Sequence, residues 1–326
     1  MPDLLLEIEG VRKKFPIRDP SMLRYFRPRR FQAALDGVDL KVHRGEVMSL
    51  IGESGSGKST LSHAILRLLP IDGGEIRFGG ADVTRFGRPA LSAFRRQAQI
   101  IFQDTGSALN PRKSVGRVIR DALRTSGVAQ REVEPRTATL LGMVGLSSAH
   151  QTRYPHELSG GQRQRVSIAR ALSMEPKFLI ADEPVSALDV SVQAQILNLL
   201  MKLRDDLELT MLLVSHDLGV VSHISDRVAV MYAGKIVESG EAQEVLRRPA
   251  HPYTKALMDA VPKGGGGPAL RFAATMPGAA ETQLPPRSGC RFAPRCTYAV
   301  RKCHEVEPQH SRISGDHGVA CHLAAG

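Results

Sequence analysis

The chain has 326 residues, 42 % hydrophobic and 24 % charged, an ordinary soluble globular composition with room for one large domain or two smaller ones. No apolar run approaches the roughly 18–20 residues that cross a bilayer, and residues 1–10 carry acids where a secretory leader has a basic flank and an apolar core. A cytoplasmic protein is therefore expected, and any transport role requires separate membrane subunits. The formal net charge of +11 permits contact with nucleic acid or anionic lipid, yet the arginines are spread along the chain as on a solvated basic surface.

Residues 4–11 read as a first strand, followed by Phe15, a lone aromatic at a strand end. Such a ring can stack on a base or simply pack on the surface. Residues 17–30 read as an inserted loop, with a dense mixture of bases and aromatics at 24–31 that suits a membrane face, a partner or a solvated loop. Residues 33–42 alternate apolar and polar side chains, the pattern of a half-buried strand.

The next stretch organises the chain. An apolar strand at 47–51 runs into Gly52-Glu53-Ser54-Gly55-Ser56-Gly57-Lys58-Ser59-Thr60, and helical spacing follows over 61–69. Strand, glycine loop and helix with G-x-x-x-x-G-K-S form a phosphate loop. Glycines let backbone N–H groups close around phosphate, and the helix N-terminus adds its positive dipole end. Lys58 can reach the terminal phosphates and the Ser59 hydroxyl can ligate Mg²⁺.

Residues 72–80 read as turn, strand, turn, so the first third is partly antiparallel. A strand over 98–104 ends in Gln103, well placed to meet a ligand at the carboxyl edge of an α/β sheet. Residues 115–150 read as mostly helical, with breaks at Gly127 and Gly142. Leu158-Ser159-Gly160-Gly161-Gln162 opens a helix with Ser159 as its N-cap, which makes a second anion site. The strand over 176–184 ends in two acids: Asp182 suits Mg²⁺ and Glu183 suits a water. The loop 186–189 ends in Asp189, a helix spans 192–207, a buried strand over 211–217 carries His216, and 228–237 reads as a closing hairpin.

These residues, in this order, resemble the ATPase subunits of ABC transporters over about residues 4–260. The resemblance implies an α/β fold of the P-loop NTPase type, an ABC ATPase with a RecA-like core, an antiparallel β subdomain and a helical subdomain at about 104–174. The ATPase domain would span 1–262. Finer features at 102–112 and 251–257, with the tail that follows, look like the oligopeptide/dipeptide importer ATPases, whose wider group includes nickel, glutathione and sugar importers. Thr105 departs from the proline usual in that subfamily.

The resemblance also implies roles. Phe15 falls where the family stacks adenine. Gly52, Ser54, Gly55, Ser56, Gly57, Lys58, Ser59 and Thr60 would hold the ATP phosphates, with Ser59, Gln103 and Asp182 on Mg²⁺. Ser159, Gly160, Gly161 and Gln162 of one subunit would close over ATP held by another. Glu183 would be the general base or polariser of the attacking water, with Lys58, Gln103 and His216 completing the catalytic set and Asp189 communicating across the dimer. The implied location is peripheral, at the cytoplasmic face of the inner membrane, and the implied partners are two transmembrane permease subunits, a second identical or related ATPase subunit and, indirectly, an extracytoplasmic binding protein.

A glycine linker at 264–267 and an order-poor stretch at 268–286 lead to a tail (the region 263–326) that holds all four cysteines: Cys290, Cys296, Cys303 and Cys321, spaced C-x5-C-x6-C-x17-C. Four thiolates suit zinc or an iron–sulfur cluster, but the short C-x2–4-C pairs usual for zinc are absent. The tail resembles that of peptide-importer ATPases, some of which hold a [4Fe-4S] cluster, so that cluster is expected ahead of zinc, with His304 and His322 as alternative ligands. A rival function, a soluble ABC ATPase acting on nucleic acid or ribosomes, would explain the charge. It lacks its own marks, since the gap from loop to signature shows no sustained heptads and the chain has a single P-loop.

Overall fold

The computed structural model describes residues 3–17, 31–260 and 288–324. The insert at 18–30, with most of the basic cluster, and the whole of 261–287, with the linker and the order-poor stretch, lie outside the described residues. Two compact units emerge: one comprises Met1–Leu5, Val42–Val47 and Arg85–Val214, the other Leu6–Lys41, Met48–Thr84 and Ser215–Gly326.

The first unit is a parallel α/β structure. Phe178–Asp182 lies between Ala98–Ile101 and Thr210–Ser215, with Ile180 opposite Ile100 on one side and Leu212 on the other. Every residue of the last two strands is buried, which explains apolar runs without alternation. All three strands end earlier than the sequence reading placed them, so Gln103, Glu183 and His216 fall just beyond the carboxyl ends. Helix Val115–Ser126 buries Val115, Val118, Ile119 and Leu123, a single apolar stripe. It stops at Gly127, whose φ of 96° is the left-handed cap expected there. Gly142, by contrast, is no break: it lies within helix Gln130–Met143, and the chain turns at Gly145, where φ is 72°.

The second unit carries two sheets. One is antiparallel, in the order Phe31–His43, Leu4–Pro16, Gly73–Phe78, Ala81–Asp82, with Ile8 opposite Ile76. In the other, Val47–Ile51 pairs in parallel with Arg227–Tyr232, which turns through Ala233 and Gly234 into Lys235–Glu241, the expected hairpin. The helix after the phosphate loop runs Lys58–Ile65, shorter than expected. Arg67 ends the turn in a left-handed conformation, and its guanidinium donates to the Val83 carbonyl at 2.6 Å.

The cysteine tail is not independent of this unit. His317–Val319 adds to Lys235–Glu241 as a further antiparallel strand, and Ser311–Ser314 follows it. Phe292 is buried in a cluster with Tyr253, Val230 and Val245, its ring centroid 5.2 Å from Tyr232 and 5.5 Å from Tyr253. One such ring contributes about 2–3 kcal/mol by burial.

A buried polar network ties the end of the ATPase region to the same sheet. The carboxylate of Glu238, wholly buried, accepts from the N–H groups of Ala250 (2.7 Å) and His251 (2.9 Å) and bonds His317 Nε2 at 2.7 Å. His251 caps helix Pro252–Asp259, its Nδ1 accepting from the Tyr253 N–H at 3.0 Å. Burial lowers the His251 pKa to about 4. The folded chain therefore resists the proton that the unfolded chain takes up near pH 6.5, and stability falls as pH drops through that window. Between pH 7 and pH 5 this group removes about 2 kcal/mol. His251→Asn keeps a capping side chain and is expected to abolish that part of the pH dependence, read as the difference between urea midpoints at the two pH values.

Candidate functional site

The phosphate loop leaves a fully buried strand and closes on its own lysine. Lys58 Nζ donates to the carbonyls of Gly52 (2.8 Å) and Glu53 (2.9 Å), and its side chain is buried. Two glycines are required by their surroundings. A Cβ on Gly52 would stand 2.2 Å from the Met231 carbonyl oxygen, and one on Gly57 would stand 2.4 Å from that of Ala34. Ser56 Oγ is buried without a hydrogen-bond partner among the described residues. A glycine cradle containing an orphaned hydroxyl fits a phosphate-bearing ligand. Ser54, Gly55, Ser59 and Thr60 occupy the same loop and first helical turn.

In the first unit the chain presents polar side chains where buried strands end. Gln103 Nε2 donates to Glu183 Oε2 at 2.7 Å, an exposed contact spanning 80 residues of sequence. Glu183 has φ 46°, rare for a residue with a side chain, and its N–H donates to the Val214 carbonyl at 3.0 Å. Asp182, one residue earlier, is buried, where a carboxylate needs a cation or donors.

Ser159 caps helix Gly160–Leu172 as expected, its Oγ accepting from the Gln162 N–H at 3.3 Å. The Gln162 side chain answers by accepting from the Ser159 N–H at 3.0 Å, completing a capping box that S-x-x-Q spacing could have signalled. Gly160 and Gly161 face the loop that carries Asp189. An added Cβ would stand 3.0 Å from Leu188 Cδ2 and 2.5 Å from Val192 Cγ1 respectively. Asp189 sits at the N-cap of helix Val190–Leu207 without bonding its end through the side chain.

Two further expected site residues are exposed at strand ends. Phe15 is 41 % exposed at the end of its strand, with Lys13 Nζ 5.7 Å from its ring centroid, open as a stacking ring must be. His216 is exposed directly after strand Thr210–Ser215. Tyr253 and Arg295, which both bond the phosphate loop, escaped the sequence reading, because nothing in their local pattern marks contacts reaching 200 and 242 residues away.

The donors of the expected metal centre come together, without a metal-binding arrangement among the described residues. Cys290, Cys296, Cys303 and Cys321 line one small cavity with His251 and His322, whereas His304 is exposed and does not line it. Among the described residues, however, no group of three or more His, Cys, Asp or Glu is disposed to hold a metal ion. Burial pushes the Cys290 and Cys296 thiols up. No described helix is long and apolar enough to cross a membrane.

Comparison with known proteins shows the family. Residues 35–186 match the family described as ABC transporter, and residues 237–303 match the oligopeptide/dipeptide transporter C-terminal region. The oligopeptide transport ATP-binding protein AppF of Bacillus subtilis is 42 % identical over 98 % of this chain and 98 % of its own. A putative peptide import ATP-binding protein of Brucella abortus is 45 % identical over 89 % of this chain and 86 % of its own. Among solved structures, cbiO1 of Clostridium perfringens, part of the ABC transporter complex cbiONQ, aligns with TM-score 0.65 at 29 % identity, covering 76 % of this chain and 92 % of that one. The ATP-binding cassette MJ0796, dimeric and bound to ADP and phosphate after hydrolysis, aligns with TM-score 0.63 at 27 % identity over 73 % of this chain and 99 % of that one. With its phosphate loop, capped signature helix and paired Gln103 and Glu183, this chain belongs to the ABC-transporter ATP-binding proteins of the oligopeptide/dipeptide importer family.

Proposed function

We propose that the chain is the ATP-hydrolysing subunit that powers import of peptides through separate membrane permease subunits. The observation that carries this is the Gln103–Glu183 hydrogen bond at the strand ends, in a chain whose phosphate-loop lysine is intact and whose reported relatives are peptide-import ATP-binding proteins. The glycine loop and Lys58 bind the triphosphate, and Phe15 stacks the adenine. Glu183 orients and polarises the attacking water, Gln103 holds that carboxylate, and His216 contacts the γ-phosphate. Ser59, Gln103 and Asp182 would hold Mg²⁺, which would supply charge neutralisation to the triphosphate. Positioning and electrostatics carry the chemistry.

The site is completed by a second ATPase subunit, with Ser159, Gly160, Gly161 and Gln162 of one subunit closing over ATP held by the other. Support comes from the outward-facing Ser159 and from Val190, 81 % exposed beside Asp189, an apolar side chain that a partner would cover. The domain boundary follows from the same reading: the ATPase runs to about 262, its helical subdomain spans about 104–174, and 263–326 is the transporter-type extension. The subunit works at the cytoplasmic face of the membrane, with an extracytoplasmic binding protein delivering the peptide. The relatives give no support to action on nucleic acid or ribosomes.

Co-expression with candidate permeases and uptake of labelled oligopeptide into ATP-loaded vesicles tests the function. Uptake that needs ATP and this chain is expected. ATPase activity stimulated by RNA or ribosomes, with no permease bound, would replace the reading. A [4Fe-4S] cluster or zinc in the tail rests on the donor set and shared cavity alone. Iron, zinc and sulfide analysis of anaerobically purified protein decides it, and stoichiometric metal would restore that expectation.

A further inference from the structure

One residue of the phosphate loop is held from outside the motif. Glu53 follows Gly52, and every polar group it has is bonded. Its N–H donates to Tyr253 Oη at 2.8 Å, and its carbonyl accepts from Lys58 Nζ at 2.9 Å. Both carboxylate oxygens accept from Arg295, at 2.9 and 3.0 Å. The pair is mostly shielded, with side chains 16 % exposed for Arg295 and 27 % for Glu53. Arg295 ends the single-turn helix Ala293–Arg295, between Cys290 and Cys296, and its guanidinium carbon lies 5.8 Å from the Tyr232 ring centroid.

Its seat is rigid. Phe292 is buried three residues before it, and Arg291 pairs with Asp36 and donates to the Ala233 carbonyl. The fork geometry of a guanidinium fixes a carboxylate in direction as well as in charge.

A carboxylate in a loop that must receive a polyanion is a liability unless its charge is compensated and turned aside. We infer that Arg295 is a charge-compensating, positioning residue for the phosphate loop: it neutralises and anchors Glu53, so that the cysteine-bearing tail sets the affinity of the loop for ATP. This rests on the ATP-binding reading proposed above.

The test uses the full-length chain and Mg–ATP binding by calorimetry, with thermal melting without nucleotide as the fold control. Arg295→Ala is expected to weaken ATP binding about tenfold. Adding Glu53→Gln to that variant removes the uncompensated charge and should return affinity to within about threefold of the parent. A tail that merely stabilises the fold predicts the reverse: the double variant would bind as poorly as the single one. That result, or parent-like affinity in Arg295→Ala, overturns the inference. Should Arg295→Ala fail to fold, Arg295→Gln replaces it: a loss of more than about threefold that Glu53→Gln restores supports the role, and a smaller loss, or one that Glu53→Gln does not restore, overturns it. A parent chain without measurable ATP affinity overturns the ATP reading itself, a result distinct from an unaffected Arg295→Ala.

Discussion

Glu183→Gln is expected to lower ATP turnover by about 10²–10³-fold while leaving Mg–ATP bound. Glu183 is the first residue past strand Phe178–Asp182, and its left-handed φ of 46° sets the direction in which the side chain leaves the sheet. The Gln103 amide at 2.7 Å fixes the direction of the carboxylate. A glutamine has the same length and can keep one hydrogen bond, so backbone, fold and nucleotide binding should survive. It lacks the negative charge and the basic oxygen, which are what polarise the nucleophile. Steady-state phosphate release gives the rate, and ATP retained through gel filtration gives the binding. Turnover near that of the parent would remove Glu183 from the assigned role.

Gly52→Ala should abolish useful ATP binding, with an affinity loss of at least about 100-fold, and should destabilise the fold by about 3 kcal/mol. The methyl group would lie 2.2 Å from the Met231 carbonyl oxygen, on the strand paired in parallel with Val47–Ile51, and 2.9 Å from Ser56 Oγ. The Met231 oxygen is backbone and cannot swing aside. The φ of 153° adds strain for any residue with a Cβ. The loop must move away from the strand, which breaks the bonds from Lys58 Nζ to the Gly52 and Glu53 carbonyls. Gly55→Ala is the informative contrast. With φ 80° it carries backbone strain, but no heavy atom lies within 4 Å of its added Cβ, so the milder effect expected there isolates the close approach at Gly52. Denaturant melts and nucleotide titration read both variants, and equal effects would refute the steric argument.

The arrangement of the chemistry was largely legible in the linear chain. G-x-x-x-x-G-K-S between an apolar strand and a helix encodes its own local structure, because glycine conformations, strand burial and helix start are set by neighbours in sequence. The same holds for the Ser159 cap and for Asp182 and Glu183 at the end of an apolar run. Periodicity and composition are local signals, and these elements are local objects. Boundaries were less legible: Gly127 ends its helix, while Gly142 is carried through one and the turn falls at Gly145. The same residue type serves both purposes, and only packing separates them.

The cysteine tail marks where sequence reasoning ran out. Donor type and the resemblance pointed to a metal, and the folded chain gathers the four thiols around a small cavity that Phe292 also lines. The spacing also hid Arg295, an arginine among many, whose importance comes from Glu53 lying 242 residues earlier. The sequence by itself determined which residues can do phosphate chemistry and where the strands that present them lie. Only the tertiary structure decided that Gln103 meets Glu183, that Gly52 and Gly57 have no room for a side chain, and that the tail grips the phosphate loop. Those contacts depend on strand pairing and long-range packing, which bring together groups that no sequence window contains.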